Sequence, residues 1–374
     1  MNFKLTAIHT LLLIGILTIV SSCHGQNASE NRSNSTSQDE SNTITLGKTV
    51  PEMLGGVTVI FQDQQNNYWF GGNDKGVYRY DGKNLVLFTK NDGLCSHSIA
   101  GIQEDKFGNI YFDTSTGVSK FDGQKFTTLS VIDSNSSNNE WSLEPDDLWF
   151  RLGTDNNGPH RYDGKSLYPL TFPKPDLVDE FYSKYPNASY NPYGIYTMYK
   201  DRKGRMWFGT ASLGVCRYDG KSLSWLYEKQ LTETPGGGDF GIRSIIEDQD
   251  GYFWFCNTRY RYEILPTSTV SNGTSRIDYN RKEGVFKSGN NAEDDISYFM
   301  SFAEDNKGDL WMVTYNDGVW RNNGKELIHY PIKDGDSDVL LFSIYKDNQG
   351  VLWIGTHEMG VYKFNGKKFE PFKA

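Results

Sequence analysis

The sequence predicts an all-β fold, a seven-bladed β-propeller of four-stranded antiparallel blades, on three observations. First, an aspartate stands six residues before an aromatic residue in six places: Asp63/Trp69, Asp105/Tyr111, Asp201/Trp207, Asp248/Trp254, Asp305/Trp311 and Asp347/Trp353. Glycine lies between them in five, and Asn66 replaces it in the first. Second, an Asx-Gly pair recurs seven times, at Asp81-Gly82, Asp122-Gly123, Asp163-Gly164, Asp219-Gly220, Asn272-Gly273, Asn323-Gly324 and Asn365-Gly366. Asx-Gly between alternating apolar runs predicts type I′ hairpin turns, which need positive φ at both central residues. Third, 38 glycines and 14% aromatic residues in 374 give material for many short strands and a large core, which excludes a disordered chain. Self-similarity at this period means stacked units, and a four-stranded unit buries both faces only against neighbours, so seven of them close into a ring.

Taken in chain order, residues 1–22 read as a signal peptide: Lys4 is the positive n-region and Ala7 to Val20 an apolar stretch too short for a stable span. Val20-Ser21-Ser22-Cys23 resembles the lipobox of bacterial lipoproteins, which makes Cys23 the expected lipidation site. Residues 23–42 are polar, without apolar periodicity, and read as a lipid-anchored tether; the 19 residues after Cys23 give it a reach of roughly 25 Å. Residues 43–374 are the propeller, with blades at about 50–90, 98–130, 140–170, 194–227, 241–280, 296–331 and 339–374. The third unit, centred on Trp149, has lost the aspartate spacing and carries Glu144-Pro145-Asp146-Asp147 in its turn. In the seventh, the strands are expected at Val339–Tyr345 (a), Val351–Gly355 (b), Gly360–Phe364 (c) and Lys367–Phe372 (d). The aspartate is expected to cap the a–b turn, the glycine to take the left-handed position, and the aromatic to fill the space between blades.

The net charge of −9, with 47 acidic against 38 basic residues, argues against a nucleic-acid binder. Without residues 1–22, which hold one lysine and no acid, the balance is 37 to 47, so membrane attachment must come from the lipid. Cys95, Cys216 and Cys256 are widely spaced and odd in number, neither a disulfide framework nor a zinc signature, and read as small buried hydrophobes. Asp305-Asn306-Lys307-Gly308-Asp309 lacks the ligand spacing and bidentate glutamate of a calcium loop, so no metal or cofactor is expected.

The stretch from Ser343 to Thr356, followed by Gly360 to Lys367, resembles the two-component regulator propeller repeat, and Phe88 to Leu94 is similar to that family's linker between blades. The resemblance spans roughly residues 50–374. It implies a seven-bladed propeller of the kind that forms the periplasmic sensor half of bacterial hybrid histidine kinases, many linked to glycan use. Here no kinase segment follows the seventh blade before Ala374, so a signal is expected to pass to a separate envelope sensor kinase or other partner protein.

Strand polarity places the b–c loops and d-to-a connections on one face and the a–b and c–d turns on the other. The insertions Leu170–Tyr193, Glu228–Phe240 and Arg281–Asp295 all fall on the loop face, where binding residues concentrate; a fourth lengthens the c–d hairpin of blade 5 around Asn272-Gly273. Tyr185, Tyr190 and Tyr193 in the first insertion are expected either to stack on sugars or a partner, or to pack as a lid. Trp141, Arg151, Arg243, Arg259, Tyr315, His357 and Glu358 are the other candidates, the three arginines as a cluster for a carboxylate or sulfate. No nucleophile elbow, phosphate loop or HExxH motif is present, which argues against an enzyme; His357-Glu358 alone suits acid/base work, and a seven-bladed fold is shared by streptogramin lyases. The expectation is an envelope-anchored propeller that binds an oligosaccharide or other small ligand, with a protein–protein scaffold as the alternative and a propeller lyase or hydrolase as a lesser one. Residues His24 to Glu30 carry no dense acidic run of the sort associated with surface export, so the outer membrane facing the periplasm is the expected location.

Overall fold

One carboxylate per blade sets the geometry of the ring. In the computed structural model, which describes residues 46–132, 141–232, 241–266, 268–271, 274–285 and 299–374, Asp347 Oδ1 accepts the backbone N–H groups of Gln349 and Val351, while its Oδ2 accepts Trp353 Nε1 at 2.8 Å. The same division recurs at Asp63/Trp69, Asp201/Trp207, Asp248/Trp254 and Asp305/Trp311, at 2.8–3.0 Å to the indole, and Tyr111 uses its hydroxyl on Asp105 at 2.9 Å. Six residues is thus the spacing at which one carboxylate both caps the turn and satisfies a buried donor. Asn66, where the other turns have glycine, has φ 65°, the left-handed region that asparagine tolerates best after glycine.

A second repeat feature sits across the sheet from each aromatic. Trp69, Tyr111, Trp149, Trp207, Trp254, Trp311 and Trp353 pair in register with Arg79, Lys120, Arg161, Arg217, Arg261, Arg321 and Lys363 on strand c. In five blades the cation lies over the opposing ring, from 4.6 Å for Lys363 to 5.9 Å for Arg79. Such contacts add about 0.5–1 kcal/mol each. The rings themselves pack between neighbouring blades, Trp69 with Phe88, Phe112 and Phe121 across blades 1 and 2, and Trp353 with Phe70 and Phe372 across blades 7 and 1.

Six blades present their innermost strand to a central channel: Val59–Gln62, Ile99–Glu104, Ile195–Lys200, Ile245–Glu247, Ser301–Glu304 and Leu341–Lys346. Each of these six carries strands b, c and d outward in antiparallel order. Blade 7 follows expectation within two residues, with b, c and d at Leu352–Thr356, Met359–Phe364 and Phe369–Pro371.

Blade 3 departs from the expected four strands. Its described residues form three, Leu148–Phe150, His160–Tyr162 and Leu167–Pro169. Asp147, two residues before Trp149, turns to Arg161 Nη1 at 3.1 Å and Glu144 N at 3.0 Å, and Trp149 Nε1 has no hydrogen-bond partner among the described residues. Pro145 supplies no ladder donor. The chain arriving from blade 2 instead runs along the outer edge of blade 3, where Val131 bridges Leu167 and Ile132 N donates to Leu167 O.

The Asx-Gly turns also differ from the expected type. Gly82, Gly123, Gly164, Gly220, Gly324 and Gly366 have φ between 79° and 91°, but no residue beside them does. Positive φ at the first central residue alone belongs to type II′ rather than I′. The Asx instead stands before the turn and caps it: Asp81 Oδ1 accepts from Lys83 N and Asn84 N. Asn272-Gly273 lies outside the described residues. The strands flanking it, Ser268–Ser271 and Thr274–Arg276, extend the outer edge of blade 4, the second running parallel to Leu223–Leu226.

The N-terminal segment ties the two ends of the ring together, because its second short strand joins the sheet of blade 7. Lys48–Thr49 covers the outer edge of blade 1, and Gly55–Gly56 runs parallel to the start of Met359–Phe364 in blade 7. Gln62 N donates to Tyr345 OH at 3.0 Å and Tyr68 OH to Asp347 Oδ2 at 2.7 Å, so the first and last blades share hydrogen bonds at the inner turns. The described propeller lies within one compact unit, Thr45–Ala374. The leader, Cys23 and the tether lie outside the described residues, as does most of the Arg281–Asp295 insertion. No helix among the described residues is long and apolar enough to cross a membrane.

Candidate ligand-binding channel

The start of each inner strand follows one local rule. A fully buried apolar residue locks the strand into its blade: Val57, Ile99, Ile195, Ile242, Phe299 and Leu341 are all 0–2% exposed. The residue immediately after it faces the channel. These six, Thr58, Ala100, Tyr196, Arg243, Met300 and Phe342, line one cavity of about 530 Å³ at the propeller axis. In three blades a β-bulge falls at this point, between Ile99/Gly101, Ile195/Thr197 and Leu341/Ser343, which aims the intervening residue away from the regular pleat. The scaffold is repeated while this one position varies, so the ring can carry specificity.

Blade 3 contributes Trp149 and Arg151 to the same wall. Asp113, on the neighbouring blade, holds Arg151: its Oδ2 accepts Arg151 N at 2.8 Å and its Oδ1 accepts Leu152 N at 3.1 Å. Arg151 Nη1 donates to Tyr196 O at 2.7 Å. Burial pushes the Asp113 carboxyl up, opposed by the Arg151 charge and these N–H donors. Leu152 has φ 52°, strained for a branched residue and placed directly beside Arg151. The Arg243 guanidinium lies 4.5 Å over the Tyr196 ring. The rest of the wall is mixed, with Ile102, Met198, Met300 and Phe342 among polar residues that include Gln103 and Lys200.

Of the ten candidates from the sequence, Arg151 and Arg243 therefore meet, both at Tyr196. Arg259 does not join them: it lies over the Tyr260 ring at 5.2 Å with Nη2 on that hydroxyl, away from the channel wall. The expected three-arginine cluster reduces to two, one of which already serves Asp113. Trp141 is not at the loop mouth. It packs in the core between blades 3 and 4, stacked on Trp149 and Phe172, and donates to Thr171 O at 3.2 Å.

The aromatic insertion folds as a lid on its own propeller. Helix α1, Leu177–Lys184, turns Phe181 into the same core, where Phe172 and Tyr193 are also buried and Tyr185 packs at its edge. Only Tyr182 and Tyr190 remain over 40% exposed, Tyr190 sharing a hydrogen bond with Ser212 at 3.1 Å. The next insertion begins with α2, Lys229–Thr232. Tyr315 and His357 meet edge to face at 6.4 Å on blades 6 and 7, and His357 Nδ1 stands 3.8 Å from Glu358 Oε1. Neither histidine nor glutamate lines the channel. Cys216 and Cys256 are buried and Cys95 is half-buried. Burial pushes the Cys256 thiol up to about 11. No cluster of three or more metal-ligating side chains occurs among the described residues.

The comparisons with known proteins agree with this architecture. Residues 189–212 and 335–358 match the family model described as two component regulator propeller. These two segments are two-component regulator propeller repeats. Each match covers the inner strand, the a–b turn and strand b of a blade, the part held together by the shared carboxylate. No curated protein matches the chain in sequence. Among solved structures, the extracellular domain of a Bacteroides thetaiotaomicron protein described as a hybrid two component system is similar, at 20% identity and a TM-score of 0.55, over 84% of this chain and 39% of that one. The chain thus spans about two fifths of that relative's length. Virginiamycin B lyase from Staphylococcus aureus is similar at 12% identity and 0.54, over 84% and 97%. PorZ of Porphyromonas gingivalis, a surface component of the type-IX secretion system, is similar at 15% and 0.53, over 83% and 46%. At these identities the likeness establishes the fold alone.

Proposed function

We propose that this regulator-type propeller is an extracytoplasmic sensory module that takes an oligosaccharide-sized ligand into the channel mouth. The observation that carries this reading is the ring of six variable side chains on an otherwise repeated scaffold. Tyr196 and Phe342 offer flat faces for sugar C–H groups, while Arg243 and Gln103 offer donors for hydroxyls. A volume of about 530 Å³ lies within the range of small-ligand sites. With one guanidinium already on Asp113, the channel suits a neutral or weakly anionic ligand.

The reading is tested by calorimetry with a panel of neutral oligosaccharides, using Ala100→Trp as a plug. The equivalent positions in blades 4 and 7 carry Tyr196 and Phe342, so the backbone accommodates a ring there. Heat with the natural protein and none with the plug is expected; undiminished binding by Ala100→Trp places the ligand elsewhere.

The ligand-bound state is read, on this proposal, by a separate envelope protein, a sensor kinase being the partner that the repeat suggests. The scaffold alternative rests on exposed Tyr182 and Tyr190; a stable co-purifying envelope protein with no heat from any saccharide would favour it. Anchoring is assigned to Cys23, on the outer membrane facing the periplasm. Radiolabelled palmitate should enter the natural protein and not Cys23→Ser, and equal labelling of both would refute it. For the lesser lyase reading, turnover that survives joint replacement of His357 and Glu358 by alanine would remove that pair from catalysis.

A further inference from the structure

Blade 3 turns toward the channel a strand edge that the other six blades keep covered. Beside its strand d, Asp163 N donates to Ser166 O and Leu170 N to Pro159 O, so the odd-numbered residues of strand c bond outward. His160 and Tyr162 therefore bond inward, to Phe150 and Leu148, and the N–H and C=O of Trp149 point away from strand c. That is the side on which strand a lies elsewhere: in blade 4 the equivalent Trp207 pairs there with Tyr199. Among the described residues no strand takes this place in blade 3.

Two side chains of blade 2 reach across and satisfy part of the edge. Gln103 Nε2 donates to Trp149 O at 2.6 Å, and the Asp113 carboxylate takes the N–H groups of Arg151 and Leu152. The Trp149 N–H is left without an acceptor among the described residues, in a residue only 3% exposed. A buried backbone donor without a partner is rare and costly. Gln103, Trp149, Met198 and Met206 all line the channel cavity; Met206 shares the core of Trp149, and Met198 packs against it. The wall here thus combines one open hydrogen-bond donor with apolar side chains. An N-acetyl group matches both, its carbonyl accepting the Trp149 N–H and its methyl lying on the methionines. An extended peptide matches less well, because strand addition uses N–H and C=O groups in alternation along an edge, and Trp149 O and Arg151 N are already taken.

We propose that the inner edge of blade 3 is a subsite of the channel that selects an N-acetylated sugar, with the Trp149 N–H as donor and Met198 as part of the methyl contact. This rests on the channel reading, and the experiment separates the two. Trimers of N-acetylglucosamine and N-acetylgalactosamine, each beside the glucose or galactose trimer of the same linkage, are titrated by calorimetry into the full-length protein, Met198→Ala and Ala100→Trp, with trialanine as a peptide probe. At least one acetylated trimer should bind the natural protein about tenfold more tightly than its plain counterpart, and Ala100→Trp should abolish that binding. Met198→Ala should narrow the ratio to about threefold while the plain trimer binds as before, whereas a merely structural role would weaken both trimers together. If plain trimers bind as tightly as acetylated ones and the plug abolishes both, the subsite falls and the channel reading stands. If no trimer binds, or if Ala100→Trp leaves binding intact, the channel reading falls with it. An acetyl preference that Met198→Ala leaves unchanged, or tighter binding of trialanine than of any trimer, also overturns the proposal.

Discussion

Asp248 shows how much one side chain carries. Its Oδ1 caps the turn through Asp250 N and Tyr252 N, and its Oδ2 satisfies Trp254 Nε1 inside the core. Asp248→Ala removes a cap and strands a buried donor, so urea unfolding should show a loss of about 2–4 kcal/mol, with Asp248→Asn losing less. The capping half of this role was legible from the sequence in the six-residue spacing; the bond to the indole, which explains why the spacing is six, emerged only from the structure. The cross-strand cations were legible in the same way, a basic residue two before the Asx in six of seven units, yet a charge two residues from a turn also fits a solvated face. A second residue-scale expectation concerns pH. Burial lowers His160 to about 4, and its Nδ1 has no partner among the described residues. The unfolded chain takes up this proton near pH 6.5, the folded one near 4, so stability contributed by the neutral ring is present above 6.5 and falls as pH drops between the two, by roughly 3 kcal/mol. A natural protein that loses no more stability over that range than His160→Gln would contradict the assignment.

Among the elements, the four strands of blade 7, which kept the spacing, were read within two residues, and blade 3, which lost it, was misread. Periodicity registers four apolar runs in blade 3 as readily as three. What marks the change there is Pro145, which offers no ladder donor, and the diversion of Asp147 to Arg161 on the neighbouring strand, a pairing that apolar periodicity does not register. The hairpin type was also misassigned, since Asx-Gly is compatible with both I′ and II′ and only the backbone separates them. The aromatic insertion was left open between platform and lid, and burial resolves most of it: Phe181 on α1 and Tyr193 pack inward. Phe181→Ala should therefore release α1, seen as rapid tryptic cleavage after Lys184, while the urea midpoint of the propeller moves little because the rest of that core remains. Cleavage no faster than in the natural protein would mean that α1 is held by other contacts.

At the level of the whole molecule, closure depends on the backbone contact that Gly55–Gly56 makes as an added strand of blade 7. A Cβ at Gly56 would lie 2.0 Å from His357 O, across the seam between blades 1 and 7. Gly56→Ala must force that seam apart and should lower global stability by about 3 kcal/mol or more, against no more than about 0.5 kcal/mol for an ordinary surface change. An unchanged urea midpoint would show that the ring closes elsewhere. The channel ring was present in the sequence as the residue after each buried aliphatic, but nothing in periodicity says that this position faces an axis until seven blades are assembled around it. That assembly turns six dissimilar residues into one surface, and the functional account rests on it. Its most direct test is calorimetry with neutral oligosaccharides on the natural protein and Ala100→Trp. Binding that the plug abolishes is expected; binding that Ala100→Trp retains at full strength would contradict a ligand site at the channel mouth.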